Sequence, residues 1–542
     1  MTPPDASDAP DVSTGPLTVP VLLEGFAALG DHPLLVTPTD RLGYAAADER
    51  SALLARRLLA VGVGKNTRVA ILLGNCPDWV VTFLALARIG AHAVLCNPFA
   101  KGPELAHVLR HADVAAVVTG AAAGDGVTAL LEAAVPALAG HGAATPLCTA
   151  THPYLRAVWW IGAGRPGWAD DADAPVPVDD ALLRAVEAEV APSDALATAY
   201  TSGTTAEPKA VIHCQGAFLR QARKLAVRRG FTPQDVVYTP MPLFWIGGVC
   251  IALLSCAVTG MPMVTDARFD AGRALDLMEQ EGVTAVYCFP QAAESMVAHP
   301  SFADRDLHRL RIGPASIRGP EFAGVTVDQR EQSLGMTETC GPHTMAFDAD
   351  ARLPEHLRGS FAFPMDGMEH RIVDRDRGVT LTRDGEIGEL WIRGDCLMLG
   401  FHKRERAETF TPDGWYRTGD LCSFREGRLF FHGRGGDMIK TAGFNVAPAE
   451  VERVIGALDD VIYVSVLGLA DPVRDQVIGA VVARRPGSGL DADALRAVCA
   501  EQLSSYKVPS VWCVTDEAGY PMGDTGKVDR SRARALLEAA RA

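Results

Sequence analysis

The chain has 542 residues, 48% of them hydrophobic and 22% charged, with a formal net charge of -15. That length exceeds what one hydrophobic core serves, so two or more domains are expected, and the composition is that of an ordinary globular protein. The acidic balance excludes general binding to nucleic acid or to an anionic membrane through the bulk surface, while leaving room for a local basic site.

Residues 1–16 are rich in Pro, Asp, Ser and Thr, lack the basic and apolar regions of a signal peptide, and read as a disordered tail. From Ala45 to Val61, leucines recur at helical spacing around Arg56 and Arg57, which predicts an amphipathic helix. Arg68–Leu73 then reads as a buried strand, Trp79–Ile89 as a helix and Ala93–Cys96 as a strand. The alternation continues through Val114–Thr119, Ala157–Ile161, Leu196–Tyr200 and Val283–Phe289, the pattern of an α/β protein with largely parallel sheets. Gly120–Gly142 is Ala- and Gly-rich and carries no clear period.

Val236–Thr265 holds no formal charge and is long enough to span a bilayer. Its Pro240, Pro242, Gly247, Gly248, Gly260 and Pro262 divide it into a strand, a turn and a short helix near Val249–Thr259, so no membrane span is expected. From about Gly359, short strands alternate with turns: His370–Val373, Gly388–Arg393 and Gly427–Phe431, with Asp384-Gly385 and Glu426-Gly427 as turn pairs. Beyond Arg434 a mixed pattern returns, with helices at Pro448–Leu458 and Asp491–Leu503 and strands at Val461–Leu467 and Val477–Ala483. The twelve cysteines show no CxxC pair or metal spacing and read as thiols of a reducing cytoplasm; Cys214 and Cys340 read as packing residues.

The most informative stretch is Thr198–Val211, reading TAYTSGTTAEPKAV. Thr201, Ser202, Gly203, Thr204 and Thr205 place four hydroxyls around a glycine at the end of a strand, and Pro208 and Lys209 close the loop. Hydroxyls and backbone N–H groups can wrap an anion, and the lysine adds the cation a polyphosphate needs. It is not a Walker A loop, which ends in Gly-Lys-Ser/Thr. A polar turn between two elements is the plain alternative for the stretch taken alone.

Four further stretches follow in order: Ser333–Thr339 (SLGMTET), Gly414–Leu421 (GWYRTGDL), Gly433–Lys440 (GRGGDMIK) and Pro521–Val528 (PMGDTGKV). Together with the hydroxyl-rich loop they resemble the signatures of the adenylate-forming superfamily, which includes acyl-CoA synthetases, peptide-synthetase adenylation domains and luciferases. The resemblance covers about residues 20 to 530. It implies a large N-terminal domain over 17–433, built from two stacked α/β subdomains and a β-barrel-like subdomain at about 360–433. A small, mobile α+β C-terminal domain over 434–542 is expected to follow, hinged at Gly435 and Gly436.

The resemblance also assigns roles. Thr201, Ser202, Gly203, Thr204, Thr205 and Lys209 would hold the β- and γ-phosphates of ATP. Glu338 would bind Mg2+, as an oxygen ligand should, and Thr337 would touch the α-phosphate. Asp420 and Arg434 would hold the ribose, since a carboxylate accepts two hydroxyl hydrogen bonds compactly. Lys527 would bridge carboxylate and α-phosphate, and Gly443, in the loop Lys440–Asn445, would let a pantetheine arm pass. Trp245 and Gly313 would line the acid pocket. Outside these motifs, Glu338 would read as a solvated acid, Asp420 as a turn residue and Lys527 as a solubilising charge.

The implied reaction joins a small carboxylic acid to AMP, releases pyrophosphate and transfers the acyl group to coenzyme A, in a cytoplasmic monomer or homodimer. Other outcomes stay open: loading the phosphopantetheine of a separate carrier protein, transfer to an amine (including nitrite activation for N–N bond formation), or a catalytically inactive nucleotide-binding relative. Several positions depart from the family pattern. Ala206 and Ala210 stand where the loop usually has glycine, Leu334 replaces an adenine-stacking aromatic residue, Gly436 replaces a hinge Asp or Lys, and Trp245 stands where histidine is common. Gly313–Gly335 is also compressed.

Overall fold

The computed structural model describes residues 15–143, 145–175, 178–201, 208–318, 332–346, 352–434, 439–441, 444–446, 448–471, 474–503, 505–523 and 528–541. They pack as two compact units, one of Met1–Met368 with Arg393–Gly414, the other of Glu369–Ile392 with Trp415–Ala542.

In the first unit the apolar runs pair as read. Arg68–Ile71, His92–Leu95, Ala116–Gly120, Ala157–Ile161 and Ala195–Thr201 lie parallel in an eight-stranded sheet; Lys209–Cys214 pairs antiparallel with Ala195–Thr201, and Gly400–Phe401 pairs antiparallel with Lys209–Cys214 at the edge. Alternate residues of one strand serve different cores: Val69 and Ile71 face one cluster, Ala70 and Leu72 another. Apolar residues on both faces are what a parallel sheet covered on both sides requires. A second, five-stranded sheet holds Pro33–Val36, Val237–Tyr238, Met263–Val264 and Ala285–Val286 in parallel, with the antiparallel Arg41–Gly43 at its edge.

Between the sheets lie the helices Pro77–Arg88, Gln215–Arg228 and Gly247–Thr259, whose side chains join those of both sheets in one core. Helix Pro77–Arg88 is buried from Trp79 to Arg88, as expected of an element with no solvent face. The uncharged stretch 236–265 resolves into strand Val237–Tyr238, a π-type turn of helix Gly247–Leu254 running into Ser255–Thr259, and strand Met263–Val264. Gly248 is required there, because a Cβ would sit 2.1 Å from the Pro242 carbonyl oxygen. Among the described residues, no helix is long and apolar enough to cross a membrane. The unpatterned Gly120–Gly142 contains helix Val127–Ala134, and the strand expected at Val283–Phe289 is confined to Ala285–Val286.

In the second unit, Met368–Val373, Gly388–Gly394, Tyr416–Arg425 and Arg428–Arg434 form a four-stranded sheet, the first and second of these reaching into the first unit by one or two residues. Glu426 and Gly427 turn the last hairpin with φ of 50° and 74°. A further sheet has Val461–Asp471 antiparallel to Asp475–Arg484, which runs parallel to Val511–Thr515. Helices Pro448–Gly456 and Ala492–Gln502 supply Val451, Val454, Ile455, Leu495 and Cys499 to its core.

Candidate active site

Parallel α/β sheets leave crevices at the carboxyl ends of their strands. Thr201 ends the strand Ala195–Thr201 and stands opposite Lys209, the first residue of the antiparallel Lys209–Cys214. The two ends of the hydroxyl-rich loop are therefore held together by the ladder. Ser202, Gly203, Thr204, Thr205 and Ala206 lie outside the described residues. Ala210 pairs with Tyr200 in extended backbone, so alanine there carries no left-handed cost. The Lys209 ammonium sits 5.4 Å from the Phe401 ring centroid, on the neighbouring strand. Just before the loop, Tyr200 shares a 2.9 Å hydrogen bond with His111 Nδ1, and burial raises its phenol pKa.

Lys209 and His213 are four residues apart on one strand, so their side chains leave the same face. His213 is fully buried, and its Nε2 lies 2.6 Å from the Thr337 carbonyl oxygen. A carbonyl only accepts, so Nε2 carries the proton; Nδ1 then accepts from the Cys340 thiol, 3.0 Å away. Burial pushes the imidazole down to about 4, although the Thr337 hydrogen bond opposes this, so the ring is neutral at pH 7. Cys340 itself is in the left-handed region, φ 57°, and burial keeps it a thiol.

That clamp shapes the turn bearing Thr337 and Glu338. Gly335–Met336 pairs with Gly341–Pro342, leaving Thr337–Thr339 as a single helical turn between them. A Cβ on Gly335 would lie 2.7 Å from the Gly341 backbone. Thr339 Oγ1 donates to the Gly341 carbonyl at 2.7 Å, and Gln221 Nε2 to the Pro342 carbonyl at 2.6 Å. The Glu338 carbonyl accepts from Met398 N at 2.8 Å. Thr337 and Glu338 are half-buried, and Leu334 just before them is anchored by its N–H to Thr344 Oγ1 at 3.0 Å.

Among the described residues no cluster of three His, Cys, Asp or Glu could enclose a metal. Glu338 alone fits the way Mg2+ is held with nucleotides, through one or two carboxylates, waters and the substrate's phosphates.

The pocket candidates lie at the carboxyl ends of the strands. Phe99 follows His92–Leu95, Phe244 and Trp245 follow Val237–Tyr238, and Phe289 follows Ala285–Val286. Their rings form a row, Phe99 to Phe244 at 6.5 Å, Phe244 to Trp245 at 6.0 Å and Trp245 to Phe289 at 5.9 Å, all edge-on. Trp245 is 39% exposed, Phe99 47% and Phe289 45%, a contiguous aromatic face rather than isolated surface residues. Gly313, with φ 152°, packs beside Val286, whose Cβ would be 3.3 Å from any side chain there.

In the second unit, Asp420 and Arg434 face each other across the antiparallel pair, and Arg434 Nε donates to Asp420 Oδ1 at 3.0 Å. Asp420 is 4% exposed; its N–H donates to Thr418 Oγ1 at 3.0 Å, after the left-handed Gly419 at φ 77°. Gly435, Gly436, Gly443 and Lys527 lie outside the described residues. Thr201, Lys209, Thr337 and Glu338 thus share one unit, as do Trp245 and Gly313, while Asp420 and Arg434 share the other. The sequence reading missed His213 and the aromatic partners of Trp245. The alternation that puts Lys209 and His213 on one face was the only available signal for the histidine.

Residues 24–402 match the family model described as AMP-binding enzyme, and residues 450–527 that described as AMP-binding enzyme C-terminal domain. The chain is 28% identical over 539 residues to the putative acyl-CoA synthetase YngI of Bacillus subtilis, covering 95% of this chain and 96% of that one. It is 30% identical over 504 residues to feruloyl-CoA synthase of Amycolatopsis sp, covering 91% and 93%. In fold it resembles the anthranilate CoA ligase AuaEII in complex with anthranoyl-AMP, with TM-score 0.79 at 23% identity over 98% of this chain and 100% of that one. The chain belongs to the AMP-binding enzyme family and is an AMP-forming ligase of the acyl-CoA synthetase kind.

Proposed function

We propose that this enzyme activates a planar or medium-sized carboxylic acid with ATP as an acyl-adenylate, releases pyrophosphate, and passes the acyl group to the thiol of coenzyme A. The observation that carries the reading is the common placement of Lys209 and the clamped Thr337–Glu338 turn over one strand face. Two anions must meet in this reaction, so the site needs cations and fixed geometry more than a nucleophile of its own.

In this reading the loop from Thr201 through Ser202–Thr205 to Lys209 cradles the β- and γ-phosphates, and Thr337 orients the α-phosphate. Mg2+ held by Glu338 supplies charge neutralisation of the triphosphate. Asp420 accepts the ribose hydroxyls with Arg434 beside it. Lys527 steadies carboxylate against α-phosphate, and the C-terminal domain over 434–542 then turns so that the Gly443 loop admits the thiol. Trp245 and its aromatic neighbours favour a flat acid, in keeping with relatives named feruloyl-CoA synthase and indoleacetate–CoA ligase. The twelve free cysteines suit a cytoplasmic enzyme.

A panel of aryl, arylpropenoic and straight-chain acids, assayed for AMP, pyrophosphate and acyl-CoA by mass spectrometry, tests this. Acid-dependent AMP with a matching acyl-CoA is expected. Acid-dependent AMP that yields product only with an amine or a carrier protein would replace the acceptor, and nucleotide binding without turnover would replace the enzyme.

A further inference from the structure

At the opposite end of the eight-stranded sheet, where its parallel strands begin, lies a cavity of about 240 Å³. It is lined by Arg68, Arg404 and Arg406, with Asn66, His92 and Phe401 among its walls. Three arginines lining one cavity contrast with a chain whose formal net charge is -15.

A buried polar atom of the wall lacks a partner among the described residues. It is Arg68 Nε, a donor that calls for an acceptor. His92 beside it is 1% exposed, and its Nε2 lies 2.7 Å from Thr198 Oγ1. An orphaned buried donor is destabilising, which a bound acceptor would relieve.

Asp113, 3.9 Å from Arg68, already takes Lys403 Nζ at 2.8 Å and His402 Nε2 at 3.1 Å. Arg406 gives one N–H to the Leu399 carbonyl at 3.1 Å and lies 4.2 Å from the Phe410 centroid, and Arg404 lies 5.5 Å from the Phe401 centroid. Each guanidinium has five donors, so most remain for a ligand.

We propose that this cavity is a second anion site, distinct from the phosphate loop, for a small phosphate-type dianion. Arginine forks match tetrahedral oxyanions bidentately, and the volume suits phosphate, pyrophosphate or the phosphoryl end of a mononucleotide. The site needs no part of the proposed reaction, and its test can be read without turnover.

The experiment uses the full chain carrying Lys209→Ala, which weakens the phosphate loop, and follows 31P line broadening at constant ionic strength. Inorganic phosphate, pyrophosphate and AMP are titrated separately, so free and nucleotide-borne phosphate are told apart. Saturable binding of at least one is expected, and adding Arg404→Gln with Arg406→Gln should weaken it at least tenfold. Both arginines are exposed, so the fold should survive, which circular dichroism checks. Arg68→Gln should weaken the same ligand several-fold with Arg404 and Arg406 intact. No saturable binding in the Lys209→Ala chain, equal binding after loss of both arginines, or competition by chloride as strong as by sulfate would overturn the proposal.

Discussion

The imidazole Nε2 of His213 lies 2.6 Å from the carbonyl oxygen of Thr337, which ties the strand that begins at Lys209 to the turn that carries Glu338. The tie works only with a neutral ring, since its second nitrogen accepts from the Cys340 thiol at 3.0 Å. Protonation would set two donors against each other inside a closed core.

Stability should therefore depend on pH through His213. Its folded pKa of about 4 is below the ordinary 6.5 because of burial. A depressed basic group adds stability that is complete above the unfolded pKa and lost as pH falls through 6.5 toward 4. Between pH 7.5 and 5 this one group should account for about 2 kcal/mol. Urea unfolding at both pH values should show wild type losing about that much more than His213→Asn, a comparison that cancels the contribution of the similarly buried His92. Equal losses would mean that His213 is not held neutral.

Asp420 offers a test in the second unit. Its carboxylate is 4% exposed and shared with Arg434. If it also accepts ribose hydroxyls, Asp420→Ala removes charge-assisted hydrogen bonds worth about 1.5–3 kcal/mol each. The KM for ATP, or the overall rate, should worsen at least tenfold, while the KM for the acid moves little. An unchanged ATP response, with the fold intact by circular dichroism, would leave Asp420 with only its ion pair.

For Trp245 the expectation concerns selectivity. Its edge-on contacts with Phe244 and Phe289 make it the middle of the exposed aromatic row. Aromatic pairing contributes about 0.5–1.5 kcal/mol, so Trp245→Ala should raise the KM for a flat acid by about threefold to tenfold and improve bulkier acids. Steady-state kinetics on matched acids decides it, and a wild-type preference for chains of palmitate length would contradict it.

Much of this architecture was legible because hydrophobic period survives in sequence. Helix Tyr44–Ala60 and strand Ala157–Ile161 lie within a residue of where the pattern put them. The turn at Glu426-Gly427 was readable from turn chemistry alone, and its φ values agree. Helix Val127–Ala134 was not, because alanine and glycine leave no contrast between faces. At the site, local motifs pointed to Lys209, Thr337 and Glu338, but the His213–Thr337 contact joins residues 124 apart. No local pattern encodes a pairing that only the tertiary fold creates. The basic cavity escaped for the same reason, since Arg68 and Arg404 stand on distant segments.

In the proposed reaction Lys527 serves only the first half-reaction, acid activation. The most direct measurement is acid-dependent pyrophosphate release by wild type and by Lys527→Ala, each repeated with synthetic acyl-adenylate and coenzyme A. The prediction is that Lys527→Ala loses about a hundred- to a thousandfold or more in pyrophosphate release, yet forms acyl-CoA from the supplied adenylate at near wild-type rate. Full-rate pyrophosphate release by the variant, or equal loss of both half-reactions in a folded protein, would contradict it.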